Sequence, residues 1–186
     1  MVNRDPLIRA SEGLPDFDEV YRDHVQRVAR WAARLGGPEE DVDDVVQEVF
    51  TAVHRQLPGF RGECRLSTWI YRITANRVVE RRRKERWRRW LGGSAEDVAG
   101  RIAATTPTPI EALERRENAA RVYRALDQMN ERYRTLIILF EIERLSGQEI
   151  AELMEMSLDS VWVTLFRARA QFVKRLAQEE EHDELV

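Results

Sequence analysis

The sequence predicts an all-α protein of two small helical domains joined by a flexible linker. Four observations carry that expectation. Apolar residues recur at helical spacing along most of the chain, and no stretch alternates with period two for long. Hydrophobic residues make up 43% of the 186 and charged ones 34%, which is enough apolar material for a core in a water-facing chain. At roughly 150 residues per domain this length allows one domain or two small ones. Residues 92–110, rich in Gly, Ala, Thr and Pro, have little to pack and divide the chain.

The elements follow in order. Residues 1–15 read as a flexible N-terminus without an apolar core, so not as a signal peptide. Phe17, Val20, Tyr21, His24, Val25, Val28, Ala32 and Leu35 mark one face of a first helix. Asp16 and Glu19 suit its start, and Gly36-Gly37 its end. Val42, Val45, Val46, Val49, Phe50 and Val53 mark a second helix, stopped by Pro58-Gly59. A loop from Phe60 to Leu66 follows, and Ser67 is expected to cap a third helix running to about Trp90. Residues 16–91 thus form the first domain.

Residues 111–178 form the second. Helices are expected over 111–129 and from Glu131 to about Arg144. Ser146-Gly147-Gln148-Glu149 is a capping box opening a short helix through Leu153. Met154 to Ser157 makes a turn, and a last helix runs from Asp159 to about Gln178. Residues 179–186 read as a frayed acidic tail with no further domain after it.

Several function classes fall away. A single cysteine, Cys64, excludes an internal disulfide. No apolar run approaches the ~18 residues of a membrane span, which points to a cytoplasmic protein without a membrane partner. Three scattered histidines make a metal site improbable. No cofactor is implied.

The net charge of −3 hides an uneven distribution. Glu39, Glu40, Asp41, Asp43, Asp44 and Glu48 stand together without a basic residue between Gly37 and Glu48. From Ile70 to Leu91, nine basic residues stand against two acids, Glu80 and Glu85. A salt-bridged surface helix interleaves both signs, so this imbalance points to a polyanion. A membrane surface fits less well, because no apolar face opposes the arginines after Glu80. Phe60, Trp69 and Tyr71 lie beside this charge, and aromatic faces next to a basic groove suit unpaired bases; core packing is the competing explanation for each.

The segment Ser146–Arg175 has the layout of a helix-turn-helix, whose second helix enters the major groove. Val161, Leu165, Ala168 and Phe172 face its core. Ser160, Trp162, Val163, Thr164, Phe166, Arg167 and Arg169 are left outward.

With these residues in view, the chain resembles bacterial RNA polymerase sigma factors of the extracytoplasmic-function class, within the sigma-70 family. Asp41-Val42-Asp43-Asp44-Val45-Val46-Gln47-Glu48-Val49-Phe50 resembles their core-polymerase-binding motif. Phe60-Arg61-Gly62-Glu63 through Ser67-Thr68-Trp69-Ile70-Tyr71-Arg72-Ile73-Thr74-Ala75-Asn76-Arg77 resembles their promoter −10 segment. Residues 125–176 resemble their −35-binding domain. The resemblance spans about 17–91 and 119–176, in the family's order. It implies a sigma domain 2 bundle, a linker and a sigma domain 4 with its helix-turn-helix, acting as a non-enzymatic initiation subunit.

The resemblance also assigns residues. Asp41, Asp44, Gln47 and Glu48 would meet core polymerase, at the clamp helices of the largest subunit; the beta-subunit flap is the second contact implied. Phe60, Arg61, Gly62, Glu63, Cys64 and Arg65 form the loop that receives a base flipped from the non-template strand. Trp69, Tyr71 and Asn76 would assist, while Arg72, Arg77 and Arg81 follow phosphates. Primary sigma factors carry a tryptophan pair where this chain has Trp69-Ile70, so one melting wedge is missing. Ser160, Val163, Thr164, Arg167 and Arg169 would face the −35 element. The family's usual Lys-Ser-Arg run is replaced here by Trp162-Val163-Thr164. Valine and threonine there suit thymine methyls, and Trp162 with Phe166 makes an apolar patch that also suits a protein partner. A cognate anti-sigma factor is the remaining partner implied.

Two alternatives are of other classes. A stand-alone helix-turn-helix regulator would need a dimer helix and would not need the acidic Asp41–Glu48 surface. A helical metalloenzyme would draw on Asp43, Asp44, Glu48 and His54, but lacks a second ligand cluster.

Overall fold

The computed structural model describes residues 15–90 and 109–183, and all regular structure in them is helical. Helix α1 spans Phe17–Gly36, α2 Val42–Gln56, α3 Leu66–Trp90, α4 Pro109–Asp127, α5 Glu131–Ile137, α6 Gly147–Leu153 and α7 Leu158–Asp183. They fall into two compact units, α1–α3 and α4–α7. The expected linker up to residue 108, residues 1–14 and residues 184–186 lie outside the described residues.

In the first unit the apolar faces read from the sequence meet. Val28 and Ala32 of α1, Val45, Val49 and Val53 of α2, and Ile70 and Val78 of α3 are fully or almost fully buried. Gly37, at φ +99°, takes the left-handed conformation that ends α1 cheaply. Arg82 of α3 then donates to the carbonyl of Gly36 at 3.3 Å, supplying a cation where the α1 dipole is negative. Asp41 caps α2, its Oδ1 accepting from the Asp44 amide at 3.1 Å. A single turn of tighter helix over Leu57–Gly59 closes α2 at the expected proline.

Helix α3 begins at Leu66, one residue before the expected cap. Leu66 is buried, and the Trp69 amide donates to the carbonyl of Arg65, so Ser67 already lies inside the helix.

The second unit is built on α5 and α7. Leu136, Ile138 and Leu139 pack with Ile150 of α6 and with Val161, Leu165 and Ala168 of α7, all essentially inaccessible. The helix expected to run unbroken to Arg144 widens into a π-helical turn over Ile138–Ile142. The amide of Glu143 reaches back to Ile138 at 2.9 Å, and four consecutive apolar residues, Leu136 to Leu139, are all buried. An ordinary helix turns about 100° per residue; the extra residue in a π turn sets successive side chains closer in projection, so more of an apolar run can face the same core. The tail also departs from expectation. Helix α7 continues to Asp183, and Glu179 is buried, accepting from Arg124 Nε at 2.7 Å and from the Gln128 side-chain amide.

The capping box of α6 is present in full. Ser146 Oγ accepts from the Glu149 amide at 3.3 Å, and Glu149 Oε2 accepts from the Ser146 amide at 2.8 Å. Ser146→Ala is expected to lower the stability of the chain by ~1 kcal/mol, measured by urea denaturation. An unchanged midpoint would show that the box does not hold α6.

Candidate nucleic-acid and protein interfaces

The acidic segment gathers on α2. Asp41, Asp44, Gln47, Glu48 and Thr51 fall within one side of the helix, because residues three, four and seven apart overlap in projection. Asp41, Asp44 and Gln47 are exposed and Glu48 is half-buried. Gln47 also borders a shallow groove between α1 and α2, lined by Phe17, Tyr21, Val46, Phe50 and His54.

Arg81 of α3 reaches across to this face. Its Nε meets Glu40 Oε1 at 2.9 Å, and its Nη1 meets Asp44 Oδ2 at 2.5 Å and Glu48 Oε1 at 3.0 Å. The Glu40 side chain is only 3% exposed, against 51% for Asp44 and 40% for Glu48. Burial pushes the Glu40 carboxyl above its ordinary range, a stronger effect than the attraction of Arg81. Burial also works against the Arg81 charge, but the surrounding carboxylates outweigh it and hold the guanidinium more firmly protonated than usual. Arg81, expected on phosphates, is therefore committed to the acidic face of α2.

The loop and α3 make a second face. Gly62 sits at φ +70°, the backbone conformation that a side chain disfavours, and lets the loop turn. Arg61, Glu63 and Arg65 are exposed, while Cys64 is half-buried with Arg72 Nη1 at 3.9 Å from its sulfur. The rings of Phe60 and Trp69 lie 5.1 Å apart, both half-exposed. Trp69, Arg72, Asn76, Glu80 and Arg83 follow one another along one side of α3 at i, i+3, i+7, i+11 and i+14. Asn76 is exposed; Arg77 is paired to Glu80 at 3.1 Å in a solvated contact.

Tyr71 does not belong to this face. It is 2% exposed and packs edge-on against Trp31 at 5.1 Å, so no ring surface is left for a base. The sequence reading also passed over Arg83, Lys84 and Arg88, which are exposed on the same helix. Only the charge count pointed to them, because past Glu80 no apolar stripe tells which side of α3 faces out.

In the second unit α6, the turn and α7 form the expected helix-turn-helix. Ser157 caps α7, its Oγ accepting from the Ser160 amide at 3.2 Å, and the Ser160 hydroxyl lies 2.8 Å from the same oxygen. The Ser160 hydroxyl is thus engaged in the cap. Arg169 is also engaged, with Nη2 at 2.6 Å from Glu141 Oε1 and its guanidinium 5.1 Å from the Phe140 ring centre. Val163 and Arg167 are exposed and Thr164 is half-exposed. Phe166, at 77% exposure, is the most exposed large apolar side chain among the described residues. Trp162 is exposed as expected, at 46%, yet one side of it is covered. Its ring packs edge-on to Phe140, and a Cβ on Gly147 would lie 2.7 Å from its Cζ2.

Among the described residues no helix is long and apolar enough to cross a membrane, and no three His, Cys, Asp or Glu side chains gather to hold a metal. Asp43, Asp44, Glu48 and His54 accordingly do not form the metal cluster of the enzyme reading.

Comparison with known proteins agrees with the geometry. The family described as sigma-70 region 2 matches residues 20–88, and sigma-70 region 4 matches residues 119–172. The ECF RNA polymerase sigma factor SigE of Mycolicibacterium smegmatis is 32% identical over 89% of this chain and 63% of its own length. The RNA polymerase sigma factor CnrH of Cupriavidus metallidurans is 31% identical over 87% of each chain. A solved structure of CnrH in complex with the cytosolic domain of CnrY, 26% identical, covers 91% of this chain and 92% of that one with a TM-score of 0.58. With both regions matched in order, on two separate helical units, the chain belongs to the sigma-70 family of RNA polymerase promoter-specificity subunits, in its extracytoplasmic-function class.

Proposed function

We propose that the chain directs core RNA polymerase to promoters by a division of labour between its two units. The acidic face of α2 docks on a basic segment of the largest subunit. The Phe60–Arg65 loop and the Trp69–Asn76 face of α3 capture an unpaired −10 base. Helix α7 reads the −35 element, with Val163, Thr164 and Arg167 outward. The observation that carries this reading is the pairing, within one three-helix unit, of an acid-lined helix with a basic helix that opens on an aromatic loop. A plain operator-binding protein has no use for the first and no need of the second.

Capturing a flipped base costs a few kcal/mol of lost stacking, which a new aromatic contact of ~1–3 kcal/mol and an edge hydrogen bond can offset. Phe60 and Trp69 supply the rings, and Asn76 supplies both donor and acceptor. The CnrH relative was solved with the cytosolic domain of CnrY, which supports a further partner here, an anti-sigma protein that holds the chain away from polymerase.

Reconstitution tests the reading. Purified chain mixed with core polymerase is expected to co-elute with it and to initiate at a promoter selected by that holoenzyme. The chain alone is expected to bind the same duplex weakly. Tight, specific binding by the free chain, with no effect of core, would favour the stand-alone regulator instead.

A further inference from the structure

We propose that Arg81 is a positioning residue of the polymerase-binding face rather than a promoter contact. This rests on the reading that Asp44 and Glu48 meet core polymerase. Arg81 stands on the basic helix, yet its guanidinium turns to α2 and meets three carboxylates through Nε and Nη1. The set is graded. Glu40 anchors the inner edge in a site shielded from water, while Asp44 and Glu48 share Nη1 at the solvent edge.

That geometry has a consequence for docking. Each outer carboxylate uses one oxygen on Arg81 and keeps the other for a partner. With Nε fixed on Glu40, the planar guanidinium holds Nη1 in one place, where it gathers two acids one helical turn apart in set rotamers before any partner arrives. Ordering them in advance removes part of the entropy cost of docking. Removing Arg81 also removes a positive charge from beneath two acids, which by itself would strengthen attraction to a basic partner. Ordering and charge therefore predict opposite signs, and a lysine separates them. Lysine keeps the charge but is a point donor that cannot span Glu40 and both outer acids.

The experiment uses the full chain in a Glu40→Gln background, so that no buried carboxylate is stranded when Arg81 is changed. Arg81→Lys and Arg81→Met are made in that background, with folding checked by circular dichroism. Binding to core polymerase and the salt dependence of promoter binding by the holoenzyme are then measured. Both variants are expected to bind core about fivefold more weakly than the Glu40→Gln parent. The effect should vanish when Asp44→Asn and Glu48→Gln are already present, a coupling that general loosening of the unit would not produce. The salt slope of promoter binding should stay that of the parent.

Two results would overturn the proposal: an Arg81→Lys variant that binds core like the parent, or a slope lowered by about one unit, as loss of a phosphate contact requires. Failure of the underlying reading looks different. In that case Asp44→Asn with Glu48→Gln, made without any change at Arg81, leaves core binding untouched.

Discussion

Reversing Asp44 and Glu48 to lysine is expected to weaken binding to core RNA polymerase about hundredfold or more, ~3 kcal/mol. Both acids lie on the outer side of α2, with 51% and 40% of their side chains exposed, so a basic partner can reach them. Reversal removes two attractive contacts and sets two repulsive ones in their place. The same change has an internal effect that the sequence does not show. Lysines at these positions face Arg81 and take away two of its three carboxylates. Because those two contacts are open to solvent, the loss of stability should stay near 1 kcal/mol. Equilibrium binding in moderate salt, beside a control with Asp23 and Glu117 reversed, separates a local contact from a change in overall charge. Wild-type affinity in the Asp44/Glu48 variant, or an equal loss in the control, would remove α2 as the docking face.

Arg81 also marks where sequence reasoning stops. Helices α1 and α2 were legible because their apolar residues keep one period and their C-terminal ends carry Gly37 and Pro58, each with a local physical cause; the Asp41 cap of α2 was not read from the sequence. The box at Ser146 and the core positions Val161, Leu165 and Ala168 were legible for the same reason. The contacts that were not legible join residues far apart in the chain. Arg81 is separated from its acids by 33 to 41 positions, and Arg124 from Glu179 by 55. Charge counts show that such residues seek partners but not which turn of one helix lies opposite which turn of another. Tyr71 was misplaced for a related reason. It is next to Ile70 on α3 and both are buried, so the core-facing arc there is wider than the charged neighbours Arg72 and Arg77 imply. The widened turn at Ile138–Ile142 comes from packing a continuous apolar run, a tertiary demand that local spacing does not reveal.

Replacing Phe60 by leucine and Asn76 by alanine together is expected to cost about 3 kcal/mol in capture of the −10 base, roughly two orders of magnitude in open complex. Leucine keeps apolar bulk beside Trp69, whose ring lies 5.1 Å from that of Phe60, so the loop stays seated while its stacking face is lost. Asn76 is exposed, and its removal disturbs no packing. The loop is held at both ends, by the Phe60 amide on the Leu57 carbonyl at 3.0 Å and by buried Leu66, which limits the change to the surface. Permanganate reactivity of the melted strand reads the effect directly, and binding to duplexes varied at −35 reads the other unit. The double variant should lose reactivity at −10 and keep its −35 preference. Thr164→Ala and Arg167→Ala should do the reverse, shifting −35 preference by about 1–3 kcal/mol per lost base contact and leaving the pattern of melting intact. Normal melting by the Phe60/Asn76 variant would place base capture elsewhere on the protein. The exposed stretch of α3 around Arg83, Lys84 and Arg88 would then be the next surface to test, because it has the charge for a strand and carries the exposed ring of Trp87.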